Sequence, residues 1–331
     1  MKKKILVTGA SGFVGSHLVE AACLAGFEVH AAVRKSSQVS EITPFVTKFI
    51  YPDFNDSAAL ADMFATGQYD YAIHAAAMTK AKTHEQLVEV NVGVTHRFLQ
   101  GAFSSEFPPK RVVFVSSLAA IGPVAYTDQP ITENSPYHPV TDYGRSKQAA
   151  EEMIREQFAD KPITVIRPTA VYGPREKDLF ILFETMNKGL DAYIGTAPQK
   201  LTFVYVKDLV DVLLRACVSE QHGLTTFNIT DGEVYSRYDM ADVFKKTLGR
   251  KLLRIHVPFG VVQKVAQISK WLYRKSSKTP VIYPERLGEL TAQNWGCDIS
   301  KAQRVLAYLP KYNLATGLAE SLLWYKKNNW F

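Results

Sequence analysis

The feature that most constrains the fold of this chain is a run of three evenly spaced glycines near its N-terminus. The apolar segment Lys4–Thr8 predicts a buried strand, and the glycines follow it directly. Glycine permits a tight turn, lets backbone N–H groups approach a phosphate and allows close helix packing. The usual dinucleotide fingerprint places its first two glycines closer together, but they serve the same physical purposes. We therefore predict a pyrophosphate-binding turn formed by Gly9, Ser11, Gly12, Phe13, Val14 and Gly15.

Short apolar runs alternate with helical segments along the first half of the chain. The predicted strands cover residues 4–8, 28–33, 46–50, 71–74, 111–116 and 163–166, and the predicted helices cover 13–25, 57–65, 84–103 and 142–158. Such alternation is typical of a parallel sheet covered by helices on both faces. The pattern predicts a doubly wound α/β fold of the Rossmann type.

The alternation stops after Pro174, where only short strand candidates remain, at 201–205 and 226–229. We predict a dinucleotide-binding domain at residues 1–174 and a smaller, mixed substrate-binding region at 175–331. Residues 201–218 are expected to return to the first domain.

Composition limits the class of protein. The 331 residues are 47% hydrophobic and 21% charged, with a formal net charge of +7. This basic balance fits an anionic cofactor, substrate or membrane surface, and the chain has no aromatic-basic motif that would indicate nucleic-acid binding. Its three cysteines are far apart, which predicts neither a disulfide framework nor a metal site and fits the cytoplasm. No apolar stretch approaches the roughly 20 residues of a membrane-spanning helix.

The end of the second predicted strand bears on the choice of cofactor. NAD-binding proteins place a carboxylate there for the ribose hydroxyls, whereas this chain has Arg34, which suits a 2′-phosphate. We predict NADP, with NAD as the alternative if Arg34 is only a solvated surface residue. Further contacts to the cofactor are expected from Asp53, Phe54, Ala75, Ala76, Ala77 and Asn91. His74 is expected to be a structural histidine.

Three side chains predict proton-transfer chemistry. Tyr143 and Lys147 are four residues apart on a predicted helix and therefore share a face. A free tyrosine has a pKa near 10, and a nearby ammonium would lower it enough for proton exchange with a substrate oxygen. Ser117, at the end of the fifth strand, can bind the same oxygen.

These motifs together resemble the extended short-chain dehydrogenase/reductase family. The resemblance rests on residues 9–15, Ser116 and Ser117, 143–147 and 167–174, and it extends over nearly the whole chain. It implies a Rossmann domain, a catalytic triad of Ser117, Tyr143 and Lys147, and a segment from Pro168 to Val171 beside the nicotinamide. It also implies that Tyr143, Lys147 and Ser116 contact the cofactor, and that a homodimer forms through helices 84–103 and 142–158.

Different segments of this sequence resemble two branches of that family. Residues 132–136 resemble nucleotide-sugar epimerases and dehydratases, but Leu118 and Ala119 stand where dehydratases carry acidic residues. Arg34, residues 256–260 and residues 295–302 resemble the dihydroflavonol-reductase and 3β-hydroxysteroid-dehydrogenase branch. In the segment 203–208, Tyr205 stands where the family usually has histidine.

Three functions follow from this pattern. The leading one is NADPH-dependent reduction of a ketone or aldehyde, or the reverse oxidation, on a mostly apolar small-molecule substrate. The alternatives are a nucleotide-sugar 4-epimerase with tightly bound NAD and a non-catalytic dinucleotide sensor. The apolar substrate is inferred from Phe259, Trp271, Leu272 and Tyr273, and the cations considered for a sugar diphosphate are Arg175, Lys177 and Arg237. The basic amphipathic stretch 261–278 is either a peripheral membrane contact or an ordinary helix with one face on the core.

Overall fold

The computed structural model describes residues 2–273 and 283–331. In this part of the chain the strands are β1 (Lys4–Thr8), β2 (Glu28–Ala32), β3 (Lys48–Ile50), β4 (Tyr71–His74), β5 (Arg111–Val115), β6 (Ile163–Pro168), β7 (Ala170–Tyr172), β8 (Leu190–Ile194), β9 (Lys200–Leu201), β10 (Phe203–Tyr205), β11 (Thr225–Ile229), β12 (Tyr235–Ser236) and β13 (Leu253–Val257). The α-helices are α1 (Phe13–Leu24), α2 (Ser57–Gly67), α3 (His84–Val88), α4 (Val94–Ser104), α5 (Asp142–Gln157), α6 (Phe180–Asn187), α7 (Val206–Val218), α8 (Asp239–Leu248), α9 (Phe259–Tyr273), α10 (Pro284–Thr291), α11 (Ser300–Leu306) and α12 (Leu314–Lys327).

Seven strands form one parallel sheet in the order β11-β6-β5-β4-β1-β2-β3. Side chains alternate between its two faces. Ile5 and Val7 belong to the hydrophobic cluster that includes α1 and α7, whereas Leu6 belongs to the cluster that includes α4 and α5. Because both faces are covered, the strands are apolar on both sides. The predicted α/β class with a parallel sheet is confirmed.

The strand order reverses between β1 and β4. Thr8 at the end of β1 is paired with His74 at the end of β4, and His74 is paired with Phe114 near the end of β5. The loops that leave these three strands therefore meet at one edge of the sheet. This is the crevice where open α/β sheets bind ligands.

The structure differs from the predicted elements in three places. The predicted helix 84–103 is interrupted at Glu89–Gly93, where the backbone makes a π-helical turn. The predicted strand 201–205 is two short strands, β9 and β10. Residues Thr225–Ile229 do not belong to a separate C-terminal layer, because β11 pairs with β6 and extends the main sheet. Local sequence patterns cannot show this pairing, which joins segments about sixty residues apart.

After residue 174, the described part of the chain adds the two-stranded sheets β12-β9 and β13-β8, strand β10, which pairs with β7, and helices α6 and α8 to α12. Helix α7 packs against α1 and the main sheet. The division of the chain at residue 174 stays a prediction. Within residues 2–273 and 283–331, no helix is both long enough and apolar enough to cross a bilayer.

Candidate active site

The glycine turn after β1 lies in close contact with the backbone that follows β4. Gly9 has φ +66°, and a Cβ on it would lie 2.7 Å from backbone atoms of Ala75 and Ala76. A Cβ on Gly15 would lie 2.0 Å from the carbonyl oxygen of Gly9. Larger residues are therefore excluded at both positions. Gly12 caps α1 without a side chain of its own, which leaves the N–H groups of the first helical turn open to an anion.

A buried histidine holds the end of β4 in place. His74 Nδ1 lies 2.9 Å from Thr8 Oγ1, and His74 Nε2 lies 3.2 Å from Thr95 Oγ1. Burial and the nearby Lys147 lower the pKa of His74 to about 3, so its ring is neutral. The predicted structural role of His74 is confirmed. Thr8 Oγ1 also accepts a hydrogen bond from the Ala76 N–H, which fixes the loop of Ala75, Ala76 and Ala77.

Asn91 lies in the π-helical turn and is 1% exposed. Its amide nitrogen donates to the Met78 carbonyl and to Ser146 Oγ, and its Oδ1 accepts the Met78 N–H at 2.8 Å. Asn91 thus joins the loop after β4 to helix α5. The structure places its side chain among protein partners, so the predicted contact with the cofactor remains a prediction.

Arg34 follows β2, and Asp53 and Phe54 follow β3, the neighbouring strand in the sheet. The Val33 N–H donates to the Ile50 carbonyl, which brings the ends of these strands together. The side chains of Arg34 and Asp53 are exposed, and Asp53 Oδ1 accepts the Asn55 N–H. Phe54 is partly buried against His74 and Phe98. Their contacts with a dinucleotide stay predictions.

The predicted catalytic residues lie just after β5 and in the first two turns of α5. Helix α5 begins after Thr141, whose Oγ1 accepts the Gly144 N–H, so Tyr143 stands in the first turn. The Ser117 side chain lies close enough to the Tyr143 hydroxyl to influence its ionisation. Burial and the Glu289 carboxylate raise the pKa of Tyr143 to about 12, and the interaction with Ser117 opposes them. The structure therefore brings Ser117 and Tyr143 together.

Lys147 lies one turn further along α5 and is 1% exposed. Its ammonium donates to the Val115 carbonyl at 2.8 Å and lies 4.7 Å from the centre of the Phe114 ring. Burial lowers the pKa of Lys147 to about 8, against the attraction of Glu151. The prediction that Lys147 lowers the pKa of Tyr143 is wrong for this structure. Burial of the phenol dominates there, and the charge acting on Tyr143 is Glu289.

A buried ion pair behind these residues was missed by sequence analysis. Glu151 is bound by the Arg167 guanidinium, by the Tyr137 hydroxyl at 2.8 Å and by Ser116 Oγ. Ser116, predicted to contact the cofactor, thus directs its hydroxyl into the protein interior. Two signals could have revealed the pair: Glu151 follows Lys147 by four residues on the same helix face, and Arg167 is a lone charge in an apolar strand.

The segment predicted to lie beside the nicotinamide continues from β6. Pro168 ends that strand, and Val171 in β7 pairs with Val204 of β10. Thr169 Oγ1 donates to the Thr202 carbonyl at 2.8 Å, which holds the turn between them. Pro168 is buried and Val171 is partly buried. Their contact with a nicotinamide stays a prediction.

A cavity of about 410 Å³ opens beside Tyr143. Tyr273 and Tyr283 also line it. Among the residues that the structure describes, the charged lining comprises four cations and four carboxylic acids: Lys80, Lys82, Lys270, Arg286, Asp142, Asp178, Glu285 and Glu289. Lys80 pairs with Asp178 at 2.5 Å, and Lys270 pairs with Glu285. The cavity is therefore the candidate substrate site, and its described lining is of mixed polarity and balanced in formal charge.

Several residues considered for the substrate lie elsewhere. Of the four aromatic and apolar residues at 259 and 271–273, only Tyr273 lines the cavity. Arg175 binds His17 and Glu20, and Arg237 is buried and donates to the carbonyls of Ile194 and Ala197. Neither arginine is among the cavity's lining residues. The described cations that line it are Lys80, Lys82, Lys270 and Arg286, and the sequence analysis did not assign them to a substrate site.

A parallel sheet with a glycine turn at its switch point and a tyrosine–serine pair beside a cavity defines a dinucleotide-dependent enzyme. Residues 5–230 match the model of the NAD dependent epimerase/dehydratase family. The chain belongs to this family, which is the extended short-chain dehydrogenase/reductase group, and NAD or NADP is the cofactor typical of it.

The relatives differ in the substrates for which they are named. The chain is 27% identical to sterol demethylase protein B of Methylococcus capsulatus over 97% of this chain and 98% of that protein. It is 25% identical to ceramide reductase of Caulobacter vibrioides, over 98% and 95%. The crystal structure of UDP-glucose 4-epimerase from Thermotoga maritima superposes with a TM-score of 0.79 at 23% identity, covering 98% of this chain and 99% of that one. This last likeness shows the fold.

Proposed function

We propose that the protein is an NADPH-dependent reductase of a ketone or aldehyde group on a mostly apolar, uncharged substrate, with the reverse oxidation open to the same site. The proposal rests on Tyr143, which lines the candidate substrate cavity and whose hydroxyl lies beside the Ser117 side chain.

The glycine turn fits a dinucleotide. Gly9 and Gly15 are so closely packed that the backbone itself forms the surface on which a pyrophosphate would lie, at the start of α1. Arg34 is exposed at the end of β2, where it can form charge-assisted hydrogen bonds with a 2′-phosphate. This supports NADP over NAD. When bound, the dinucleotide supplies or accepts the hydride.

The proton comes from Tyr143. With a pKa of about 12 the phenol is protonated throughout the neutral range, so it is ready to donate to an oxygen that gains negative charge. Ser117, whose side chain lies beside the Tyr143 hydroxyl, is placed to orient the same oxygen. Lys147 places a positive charge at the end of β5, against Val115.

The charge of the cavity favours an uncharged substrate. A nucleotide sugar carries a diphosphate, which is normally met by an excess of cations. Among the described lining residues of this cavity, four cations are matched by four carboxylic acids, and Lys80 and Lys270 are held in ion pairs. The names of the sterol and ceramide relatives fit an apolar lipid of this kind.

The second candidate is a nucleotide-sugar 4-epimerase that retains NAD. It is supported by the family as a whole and by Lys80 and Lys82, which line one wall of the cavity. In that case the enzyme would regenerate its cofactor in each turnover.

The two functions can be separated with purified protein. The retained dinucleotide is identified, and NADPH oxidation is followed with long-chain ketones, sterol ketones and aliphatic aldehydes. UDP-glucose is assayed in parallel for conversion to UDP-galactose. We expect NADPH consumption with at least one hydrophobic carbonyl and none with UDP-glucose. Retained NAD together with epimerisation of UDP-glucose, without net NADPH consumption, would replace the reductase with the epimerase.

A further inference from the structure

Helix α9 carries apolar side chains on two faces, and among the described residues only one of these faces is packed against other elements. Val262 and Ala266 are buried in a cluster with Leu287. Val261, Val265, Ile268 and Leu272 are 50%, 50%, 58% and 62% exposed. At 3.6 residues per turn these four side chains fall within about 60° of one another around the helix axis. They form a continuous stripe on the surface, here called the open face of α9.

The open face lies in the part of the chain that carries the excess positive charge. Between Asp242 and Glu285 the sequence contains ten lysines and arginines and no carboxylic acid. The whole chain has 39 basic residues, so 29 of them lie outside this segment. Because all 32 acidic residues also lie outside it, the rest of the chain carries a small negative formal charge. Lys264, on α9 itself, is exposed beside the open face. Arg274, Lys275 and Lys278, the last basic residues of the predicted stretch 261–278, lie outside the described residues.

The helix also adjoins the candidate substrate cavity. Lys270 and Tyr273 at the end of α9 line the cavity, as do Glu285 and Glu289 of α10. Helices α9 and α10 pack together, and Lys270 and Glu285 form an ion pair between them. By the same helical geometry Lys270 and Tyr273 lie on the side of α9 away from the open face, so a surface that held the open face would leave the cavity uncovered.

We propose that the open face of α9 docks on a lipid bilayer that contains anionic phospholipids. An amphipathic helix binds such a surface by burying apolar side chains among the acyl chains while lysines approach the headgroups. Residues 243–284 contain no carboxylate that an anionic surface would repel, and Lys264 on α9 has no ion pair among the described residues, whereas Lys270 is paired with Glu285. A second copy of this chain fits less well, because a symmetric contact would bring two strongly basic segments together. The proposal concerns a surface and does not depend on which reaction the site performs.

The test is flotation of the purified full-length protein with vesicles. One set is phosphatidylcholine alone, and the other is phosphatidylcholine mixed with phosphatidylglycerol. We expect the bound fraction to be at least about tenfold larger with the anionic vesicles and to fall as salt is raised, because screening weakens attraction at a charged surface.

Matched variants locate the contact. The double variant Val265→Glu/Ile268→Glu places two charges on the open face, and Leu24→Glu/Leu323→Glu places two at exposed apolar positions elsewhere. All four positions are exposed, so both variants should fold, which thermal unfolding by circular dichroism checks. We expect the first variant to lose vesicle binding by about tenfold or more and the second to bind like the parent. No flotation of the parent, or equal loss in both variants, would overturn the proposal. So would a parent dimer that becomes monomeric only in the first variant and does not float.

Discussion

Arg167 and Glu151 form an ion pair in the protein interior, and their side chains are 1% and 2% exposed. Arg167 Nε lies 3.0 Å and 2.9 Å from the two carboxylate oxygens. The pair connects β6 to helix α5, and through Ser116 it also reaches the end of β5. Helix α5 and the end of β5 carry Ser117, Tyr143 and Lys147, the residues proposed for catalysis. The pair is therefore placed to fix their relative positions.

Glu151→Gln should destabilise the protein, because it leaves the Arg167 charge buried without its counter-ion. Removing one partner of a buried pair typically costs about 3–5 kcal/mol. Urea unfolding measures the change, with Glu156→Gln as control on the exposed part of the same helix. The double variant Glu151→Leu/Arg167→Met should recover part of the loss, since neither charge then remains. Equal unfolding free energies for Glu151→Gln and Glu156→Gln would contradict this role.

Tyr143→Phe should reduce turnover by at least about 100-fold, because it removes the transferable proton and keeps the shape of the ring. Affinity for NADPH, measured by fluorescence titration, should change little. Tyr283→Phe is the matched control, since Tyr283 lines the same cavity and is not one of the residues proposed to transfer the proton. An active Tyr143→Phe enzyme would end the proposed mechanism.

Arg34→Ala should weaken NADPH binding about tenfold or more and leave NADH binding almost unchanged. The expected loss is that of one charge-assisted hydrogen bond, about 1.5–3 kcal/mol. Binding of both cofactors is measured by calorimetry, and Lys35→Ala serves as the control at the neighbouring exposed position. Parent protein that prefers NADH, or an equal loss for both cofactors, would exclude NADP as the cofactor.

His17 should make stability depend on pH between about 4 and 6.5. Its Nε2 donates to the Pro174 carbonyl, and its Nδ1 accepts from Arg175, each at 2.8 Å. Burial, aided by Arg175, lowers the pKa of His17 from 6.5 to about 4. The folded protein holds His17 in its neutral form, so the pKa of His17 is lower in the folded state than in the unfolded state. The contribution of neutral His17 to the free energy of unfolding is therefore complete above pH 6.5 and is lost as the pH falls through 4.

The shift corresponds to about 3 kcal/mol over that range. His17→Gln keeps one donor and one acceptor and does not titrate. Unfolding free energies from urea titrations at several pH values should therefore fall less steeply with acid in His17→Gln than in the parent. Parallel curves for the two proteins would show that His17 is not the responsible group.

Features that depend on spacing along the chain could be predicted from the order of the amino acids. Apolar runs of strand length alternating with helical segments predicted the parallel sheet, because each element must bury its own apolar face. Glycines at 9, 12 and 15 predicted a turn that tolerates no side chain. The four-residue spacing of Tyr143 and Lys147 placed both on one side of α5.

Which distant segments meet, and therefore the electrostatics of the site, depends on how the folded chain packs in three dimensions. The pairing of β11 with β6, the contact of Gly9 with Ala75, and the ion pair of Arg167 with Glu151 join residues far apart in sequence. The pKa of Tyr143 was expected to fall because of Lys147, yet it is raised by burial and by Glu289. Burial and Coulomb energies depend on distances between elements, and local sequence spacing does not contain those distances.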